Sequence, residues 1–264
     1  MCGIAGYSLQ PASRIDRTLA AQALLAAIAE RGADAVGYAY RTPGEAVSVH
    51  KQRSGASELL DRIAVPAEAT QALIHVRDYT KGHPRIAANN HPVRHGAVVG
   101  VHNGIIVNDE EVFARHGFPR EEPQMTVDSE AIFALVDAAE TLHASVLEEL
   151  RGSMATAWLD ERRPDTVFVA RGIGRPLWLG VGRHEAFFAS TEHALQVLER
   201  SLGLKLRKRE LPEGTLVSLI AGRRAGAERF TPDRGFEETP LPAVRAPDEG
   251  AVCLRRLAAI LASY

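Results

Sequence analysis

Cys2 is the residue whose position most directly suggests chemistry. Removal of Met1 would make Cys2 the amino terminus and place a thiol and a free α-amine on one residue. Near neutral pH a thiol of pKa about 8.5 is mostly protonated, whereas an α-amine of pKa about 8 is partly neutral and can accept its proton. Cys2 would then be a nucleophile with its own base. A lipid-modified or secreted cysteine, or a chance cysteine, explains the residue equally well.

The composition is that of an ordinary soluble enzyme. With 264 residues, 45% hydrophobic and 24% charged, the chain can form one large domain. A net charge of -2 gives no reason to expect nucleic acid or a membrane surface as partner, and we interpret the basic run 205–209 as the solvated face of a strand. Cys2 and Cys253 are the only cysteines, so no disulfide framework is predicted and a cytoplasmic location is expected. The absence of a leader and of an apolar run of about 20 residues weakens the lipid-modified alternative.

The elements that must position Cys2 form two groups of strands with helices between them. Apolar spacing predicts a helix over 17–30, and a strand over 97–102 that ends on Asn103-Gly104. A helix is predicted over 128–142, with Thr126 and Asp128 available as caps. From residue 153 onward, short strands follow one another as in an antiparallel sheet. The fold class expected is α+β, with sheet packed on sheet and helices outside.

The last part of the chain is predicted to be separate from this domain. We assign residues 1–236 to the domain, 237–250 to a proline-containing linker and 251–264 to a short amphipathic helix. The helix could dock on its own domain or on a partner, and docking on its own domain is favoured.

Five stretches together resemble one family. They are Cys2-Gly3-Ile4-Ala5-Gly6, the segment 31–37 with Arg31, Gly32, Asp34 and Gly37, His75-Val76-Arg77 with Thr80, the segment 101–106 with Asn103-Gly104, and Asp128-Ser129-Glu130. In this order and spacing they resemble the class II glutamine amidotransferases, which are amino-terminal-nucleophile hydrolases. The resemblance covers about residues 2–222 and is strongest to the glutaminase domain of glucosamine-6-phosphate synthase. It implies a four-layer αββα fold.

The resemblance also implies roles for single residues. Cys2 would attack the glutamine carboxamide, while Asn103 and Gly104 would stabilise the oxyanion. For substrate binding, Arg77 and Thr80 would hold the carboxylate of glutamine and Asp128 its ammonium group. Arg31 and Asp34 would brace the amino-terminal strand. Without the resemblance, Asn103-Gly104 is a tight turn, Arg77 a surface charge and Asp128 a helix cap.

Two positions depart from the family pattern. Asp78 stands where the family's loop carries tryptophan, and Lys81 stands where it carries histidine, which leaves closure of the loop over glutamine as an open question. Tyr79 offers some aromatic cover. Five of the histidines could suggest a metal site, but their spacing lacks a repeated i, i+4 pair or a nearby set of thiols, namely His50, His75, His91, His95 and His102. We therefore interpret them as satisfied core or loop residues, and expect no metal and no cofactor.

The function expected is that of a glutamine-hydrolysing amidotransferase subunit that releases glutamate and ammonia. Only about 40 residues follow the glutaminase-like region, too few for a synthase domain of typical size. A separate synthase subunit is therefore the expected ammonia acceptor, and a homo-oligomer is left open. Two alternatives are a hydrolase of another small amide, and a catalytically silent module that binds glutamine.

Overall fold

The computed structural model describes residues 2–238 and 242–263. One sheet contains β1 (Gly3–Leu9), β2 (Ala35–Arg41), β3 (Ser48–Gln52), β4 (Gln71–Arg77), β9 (Trp178–Val181), β10 (Glu185–Ala189) and β11 (Arg207–Glu210). The other contains β5 (Val93–His95), β6 (Val98–Ile106), β7 (Gly152–Asp160), β8 (Thr166–Arg171), β12 (Thr215–Ile220) and β13 (Arg223–Arg229). The helices are α1 (Arg17–Ile28), α2 (Ala56–Leu59), α3 (Asp109–His116), α4 (Glu130–Ala138), α5 (Glu192–Leu202) and α6 (Pro247–Leu261), and short 3-10 helices cover Ala29–Arg31, Ala87–Asn89 and Ala144–Glu149.

The two antiparallel sheets pack face to face and the helices cover their outer surfaces. The strand orders are β11-β9-β10-β1-β4-β2-β3 and β13-β12-β8-β7-β6-β5. Three apolar layers result, of which the central one lies between the sheets and contains Ile4, Val101, Val169 and Phe188. This arrangement confirms the predicted α+β class with sheet on sheet and helices outside.

Alternation along the strands decides which side chains enter the central layer. Ile4 of β1 and Val101 of β6 both lie in it. Because successive side chains of a strand point to opposite faces, the even positions of β1 and the odd positions of β6 face the other sheet. Asn103 therefore faces this layer, and continuing the alternation of β1 by one residue directs Cys2 toward it.

The strand β6 differs from its prediction. It continues through Asn103 and Gly104 to Ile106, because β7 supplies a partner for each residue, with Gly104 opposite Met154. The helix predicted over 128–142 begins at Glu130 and ends at Ala138. Asp128 does not cap it, since the carboxylate accepts the backbone N–H of Ile106 at 2.7 Å instead.

The C-terminal helix α6 begins at Pro247, four residues before the predicted start, so the predicted linker includes its first turn. Proline is favoured in the first turn of a helix because no intrahelical acceptor is lost there. The helix lies on its own domain, with Cys253 and Leu257 buried against α1 and α2. The backbone N–H groups of Arg245 and Ala246 donate to the Glu30 carbonyl at 2.9 and 2.8 Å.

Side chains of α6 also bind α2. The Glu249 carboxylate accepts the N–H and the hydroxyl of Ser57, both at 2.9 Å. Arg256 lies 3.1 Å from Asp61. Within the described residues, no helix is long and apolar enough to cross a bilayer.

Candidate functional site

Cys2 is fixed in front of β1, a central strand. Its Sγ lies 3.4 Å from the Asp78 carbonyl oxygen, and the Nε–H of Arg31 donates to the Cys2 carbonyl at 2.9 Å. Two residues further, the Ile4 N–H donates to the Ser190 hydroxyl at 2.9 Å. Cys2 itself is half-buried. Met1, whose removal is predicted, lies outside the described residues.

The environment of Cys2 keeps its thiol protonated. Burial raises the pKa of Cys2, and the hydrogen bond to Asp78 and the charge of Arg77 offset this only in part. A thiol with a raised pKa holds little thiolate at neutral pH, so attack on a carbonyl requires a base. The free α-amine of a processed Cys2 would be such a base.

Asn103 is a buried carboxamide without a partner. Its side chain is fully buried, and neither Nδ2 nor Oδ1 has a hydrogen-bond partner among the described residues. A buried amide without a hydrogen bond typically costs about 1–3 kcal/mol. Such a group in the same layer as Cys2 is the arrangement expected of a donor that acts only when a ligand is present.

Position 104 can accommodate only glycine. Its φ is 146°, and a Cβ here would lie 1.9 Å from the Ser153 carbonyl oxygen. The Asn103-Gly104 pair does not form the tight turn that its composition alone would favour, because both residues lie within β6.

Two histidines hold this part of β6 in place. His75 Nε2 lies 3.1 Å from the His102 carbonyl oxygen, which connects β4 to β6 next to Asn103. His102 Nδ1 in turn lies 2.9 Å from the Ser129 hydroxyl. Burial lowers the pKa of both His75 and His102 to about 3. Both rings are therefore neutral at physiological pH.

Arg77 binds the loop that follows its own strand. One terminal nitrogen donates to the Asn89 carbonyl and, at 2.7 Å, to Asn90 Oδ1. The other donates to the carbonyls of Lys81, at 2.8 Å, and Gly82. A guanidinium has four hydrogens on its terminal nitrogens, so these contacts engage all of them. In this arrangement Arg77 supports the loop.

Asp128 is close to Arg77 and deeply buried. Burial raises the pKa of Asp128 to about 6, while the Ile106 N–H and the Arg77 charge lower it. The carboxylate is thus mostly ionised above pH 6. Thr80, by contrast, is exposed and makes no hydrogen bond within the described ranges.

The segment with Arg31 and Asp34 packs against the start of the loop. The Asp34 N–H donates to the Arg77 carbonyl at 2.9 Å, and its carboxylate accepts the Tyr79 N–H at 2.9 Å. Gly32 lies so close that a Cβ would be 2.4 Å from the Arg77 carbonyl. Together with the hydrogen bond from Arg31 to the Cys2 carbonyl, these contacts connect both the amino-terminal strand and the loop to the segment 31–34.

Both departures from the family pattern have charged partners. The Asp78 carboxylate accepts from Arg245 Nε at 3.1 Å, and Lys81 lies 2.7 Å from Asp109 and 3.3 Å from Glu110. Sequence reasoning missed Arg245 and Asp109, because nothing in the local pattern shows which distant charges will meet.

The histidine interpretation is wrong at one position. The rings of His75 and His91 stack with centroids 4.2 Å apart, and neither nitrogen of the buried His91 has a partner among the described residues. The other histidines have contacts. Those of His75 and His102 are described above, His95 lies 3.0 Å from Glu130, and His50 stacks on Tyr38. The described ranges contain no group of three potential metal-binding His, Cys, Asp or Glu side chains.

Comparison with known proteins relates the chain to glutamine amidotransferases. A family profile described as a glutamine amidotransferase domain matches residues 82–197. Glutamine–fructose-6-phosphate aminotransferases of Shigella flexneri and Escherichia coli K12 are each 34% identical over 244 residues, which is 86% of this chain and 38% of theirs. The enzyme of the same name from Shouchella clausii is 28% identical over 228 residues, 79% of this chain and 36% of its own length.

Residues 82–197 carry a glutamine amidotransferase domain. A solved glutamine phosphoribosylpyrophosphate amidotransferase from B. subtilis, complexed with ADP and GMP, shares the fold with a TM-score of 0.67 at 20% identity, over 86% of this chain and 49% of that one. The structure of the allosteric regulatory enzyme of purine biosynthesis also has a TM-score of 0.67, at 21% identity, with the same coverage. The chain spans about 38% of the length of the curated relatives just named from Shigella and E. coli.

Proposed function

We propose that the protein hydrolyses the side-chain amide of glutamine through a thioester on Cys2 and releases glutamate and ammonia. The observation that supports this most strongly is the fully buried carboxamide of Asn103, which lacks a partner within the described residues and shares the layer of Cys2. A protein would not keep an unpaired buried amide without a reason, because it lowers stability.

The reaction begins with a proton transfer within one residue. The free α-amine takes the thiol proton, and Sγ forms a bond to the side-chain carbonyl carbon of glutamine. The negative charge that develops on oxygen is stabilised by Asn103 Nδ2–H and the Gly104 backbone N–H. When the C–N bond breaks, the α-ammonium returns the proton to the leaving ammonia. Water then attacks the thioester, glutamate leaves, and Sγ regains a proton.

Substrate recognition in this proposal rests on charge. The Asp128 carboxylate binds the ammonium group of glutamine, and Arg77 with Thr80 binds its carboxylate. Because the four terminal N–H groups of Arg77 already bind the segment 81–90, substrate binding must replace or share some of these contacts. Movement of the loop is therefore part of glutamine binding, and Arg31 and Asp34 support the strand and loop ends that stay in place.

The same observation on Arg77 favours one second candidate, the hydrolysis of a small amide other than glutamine. If the loop keeps Arg77 engaged, a substrate without an α-carboxylate would suit the site better. Turnover of glutamine, asparagine and simple amides at equal concentration separates the two. Preference for glutamine supports the first function, and preference for an amide without the carboxylate supports the second.

The ammonia acceptor is proposed to be a separate synthase. The curated relatives are aminotransferases of which this chain covers 38%, so acceptor chemistry resides outside the region they share. An acceptor protein that couples to this chain should raise glutamate release and use its ammonia in preference to ammonia from solution.

The deciding experiment is glutamate release by purified protein, combined with the intact mass of its amino terminus. Protein that lacks Met1 should release glutamate and ammonia in equal amounts, and Cys2→Ala should abolish both. A glutamine-like electrophile should add once, at Cys2. Protein with a free Cys2 that neither turns over any amide nor reacts with the electrophile would contradict the proposal and identify a catalytically silent module.

A further inference from the structure

A cleft of about 770 Å³ opens where the edges of the two sheets meet. Six cationic side chains line it, Arg183, Arg207, Lys208, Arg209, Arg223 and Arg224. They come from β11 at the edge of one sheet, from β13 at the edge of the other, and from the turn between β9 and β10. The cleft is thus built by both sheets.

The register of the strands directs several of these side chains toward the space between the sheets. Arg207 is opposite Val181 and Arg209 is opposite Leu179, and Leu179 belongs to the central apolar layer. On the other sheet, Arg224 is opposite Leu219, which belongs to the same layer. Paired residues of neighbouring strands share a face, so Arg207, Arg209 and Arg224 lie around the open end of this layer.

The charges of this cleft are not balanced by the protein. Lys208 forms an ion pair with Glu199. The five arginines have neither an ion pair nor a side-chain hydrogen bond to any described residue, and no acidic residue lines the cleft. By contrast, Arg171 and Arg175, which precede β9 in the sequence, form ion pairs with Glu210 and Glu238 respectively. Unpaired like charges around a concave surface produce a positive potential that attracts anions.

Protection of sheet edges explains only part of this pattern. Charged side chains on edge strands prevent edge-to-edge aggregation, and β11 and β13 are both edges. That role does not require Arg183, which lies in a turn, and it does not require convergence on a cavity. It also does not explain the apolar floor of Leu179 and Val181.

We propose that this cleft binds a small anion with two or more phosphate groups. Arginine binds phosphate through paired N–H groups, and the cleft has the volume of a typical small-molecule site. Leu179 and Val181 offer contact to an uncharged body next to the phosphates.

This site is distinct from Cys2. Cys2 precedes Gly3 at one end of β1, whereas the turn with Arg183 adjoins the other end, where the Gln10 N–H donates to the His184 carbonyl at 2.9 Å. The strand has seven residues, which at 3.3 Å per residue separates the two ends by roughly 23 Å. The ligand therefore does not compete with glutamine for space.

The test is titration calorimetry of the full chain with pyrophosphate, ATP and adenosine, each without metal. Saturable binding of pyrophosphate and ATP, weakened by added salt, is expected, and adenosine should not bind alone. ATP binding more tightly than pyrophosphate would show that the apolar floor contributes. The double variant Arg209→Ala/Arg224→Ala should weaken binding at least about tenfold, because it removes two of the cations that would make charge-assisted contacts to phosphate.

The matched control is Arg53→Ala/Arg255→Ala, which removes two exposed arginines outside the cleft and should change the affinity less than about twofold. Equal unfolding temperatures show that both double variants fold. The proposal is overturned if neither phosphate compound binds, if the control loses as much affinity as the cleft variant, or if polyglutamate binds more tightly than both phosphate compounds. Glutamate release is measured in parallel and should not change in either double variant, so this result is independent of the proposed catalytic function.

Discussion

Two buried asparagines provide a direct test of the proposed oxyanion donor. Asn90 is 2% exposed and Asn103 is 0% exposed. The Asn90 side chain donates to the Pro84 carbonyl at 2.9 Å and accepts from Arg77 at 2.7 Å, whereas that of Asn103 has no partner in the described part of the chain. Replacing each by alanine deletes the same atoms and leaves a similar cavity, so the difference in stability reports the hydrogen bonds.

The magnitude follows from the bonds lost. Asn90→Ala removes one neutral bond worth about 1 kcal/mol and one bond to a charged group worth about 1.5–3 kcal/mol. Asn103→Ala removes none. The free energy of unfolding should therefore fall by about 2–4 kcal/mol more for Asn90→Ala than for Asn103→Ala. Activity should show an independent effect, since loss of one oxyanion donor lowers kcat by roughly 100- to 1000-fold.

Urea unfolding in the absence of substrate, with equal m values required for a valid comparison, measures the first quantity. Glutamate release by protein without Met1 measures the second. If Asn103→Ala destabilised the protein as much as Asn90→Ala, the Asn103 amide would be a bonded structural group. If it also kept normal kcat, the oxyanion role would be refuted.

Three further predictions concern charge. The pKa of Asp128 is about 6 against an ordinary 3.8, so the protonated carboxyl stabilises the fold. This stabilisation is complete below pH 4 and is lost as pH rises through 6. Asp128→Asn should raise the free energy of unfolding at pH 7.5 by up to about 3 kcal/mol and abolish glutamine binding, which urea unfolding and calorimetry at two pH values will check. The neutral His75 and His102, with pKa values of about 3, stabilise the fold above pH 6.5, and this is lost as pH falls toward 3. The unfolding temperature should therefore fall steeply between pH 6.5 and pH 3, and it should fall less in His75→Asn. Arg245→Ala breaks a partly exposed ion pair to Asp78, so stability should fall by less than about 1 kcal/mol while KM for glutamine rises. An unchanged KM, as expected for the control Arg255→Ala, would show that the pair does not act on the loop.

The layers of the fold follow from short-range signals. Asp16 caps α1 by accepting the Leu19 N–H at 2.8 Å, and Gln71–Arg77 and Thr166–Arg171 form strands. These segments combine β-branched residues with clear turn residues at their borders, so local preference and tertiary pairing agree. Strands of both sheets could therefore be predicted from sequence.

Where local and tertiary preferences conflict, sequence reasoning failed. Asn103-Gly104 has the composition of a tight turn, but a full row of partners on β7 keeps it extended. Asp128 has the composition of a helix cap, but its carboxylate binds the Ile106 N–H of a neighbouring strand. All three residues belong to the candidate site, where local rules are most often broken.

The contacts of Arg77 could not be predicted for a different reason. Its acceptors are three backbone carbonyls and one side chain of a loop without regular periodicity. No sequence pattern specifies how such a loop folds back on the strand before it. The resemblance assigned Arg77 to the substrate and did not indicate that the loop itself occupies the guanidinium.

Asp78 is held from two sides, by Cys2 Sγ at its carbonyl and by Arg245 at its carboxylate. Arg245 and the adjacent Ala246 are in turn anchored to Glu30, next to Arg31. The acid at 78 and the arginine at 245 are 167 positions apart, yet neither has this contact without the other. In evolutionary terms they form one unit: descendants that acquire tryptophan at 78 should be free to lose Arg245, and those that keep Asp78 should keep a cation there.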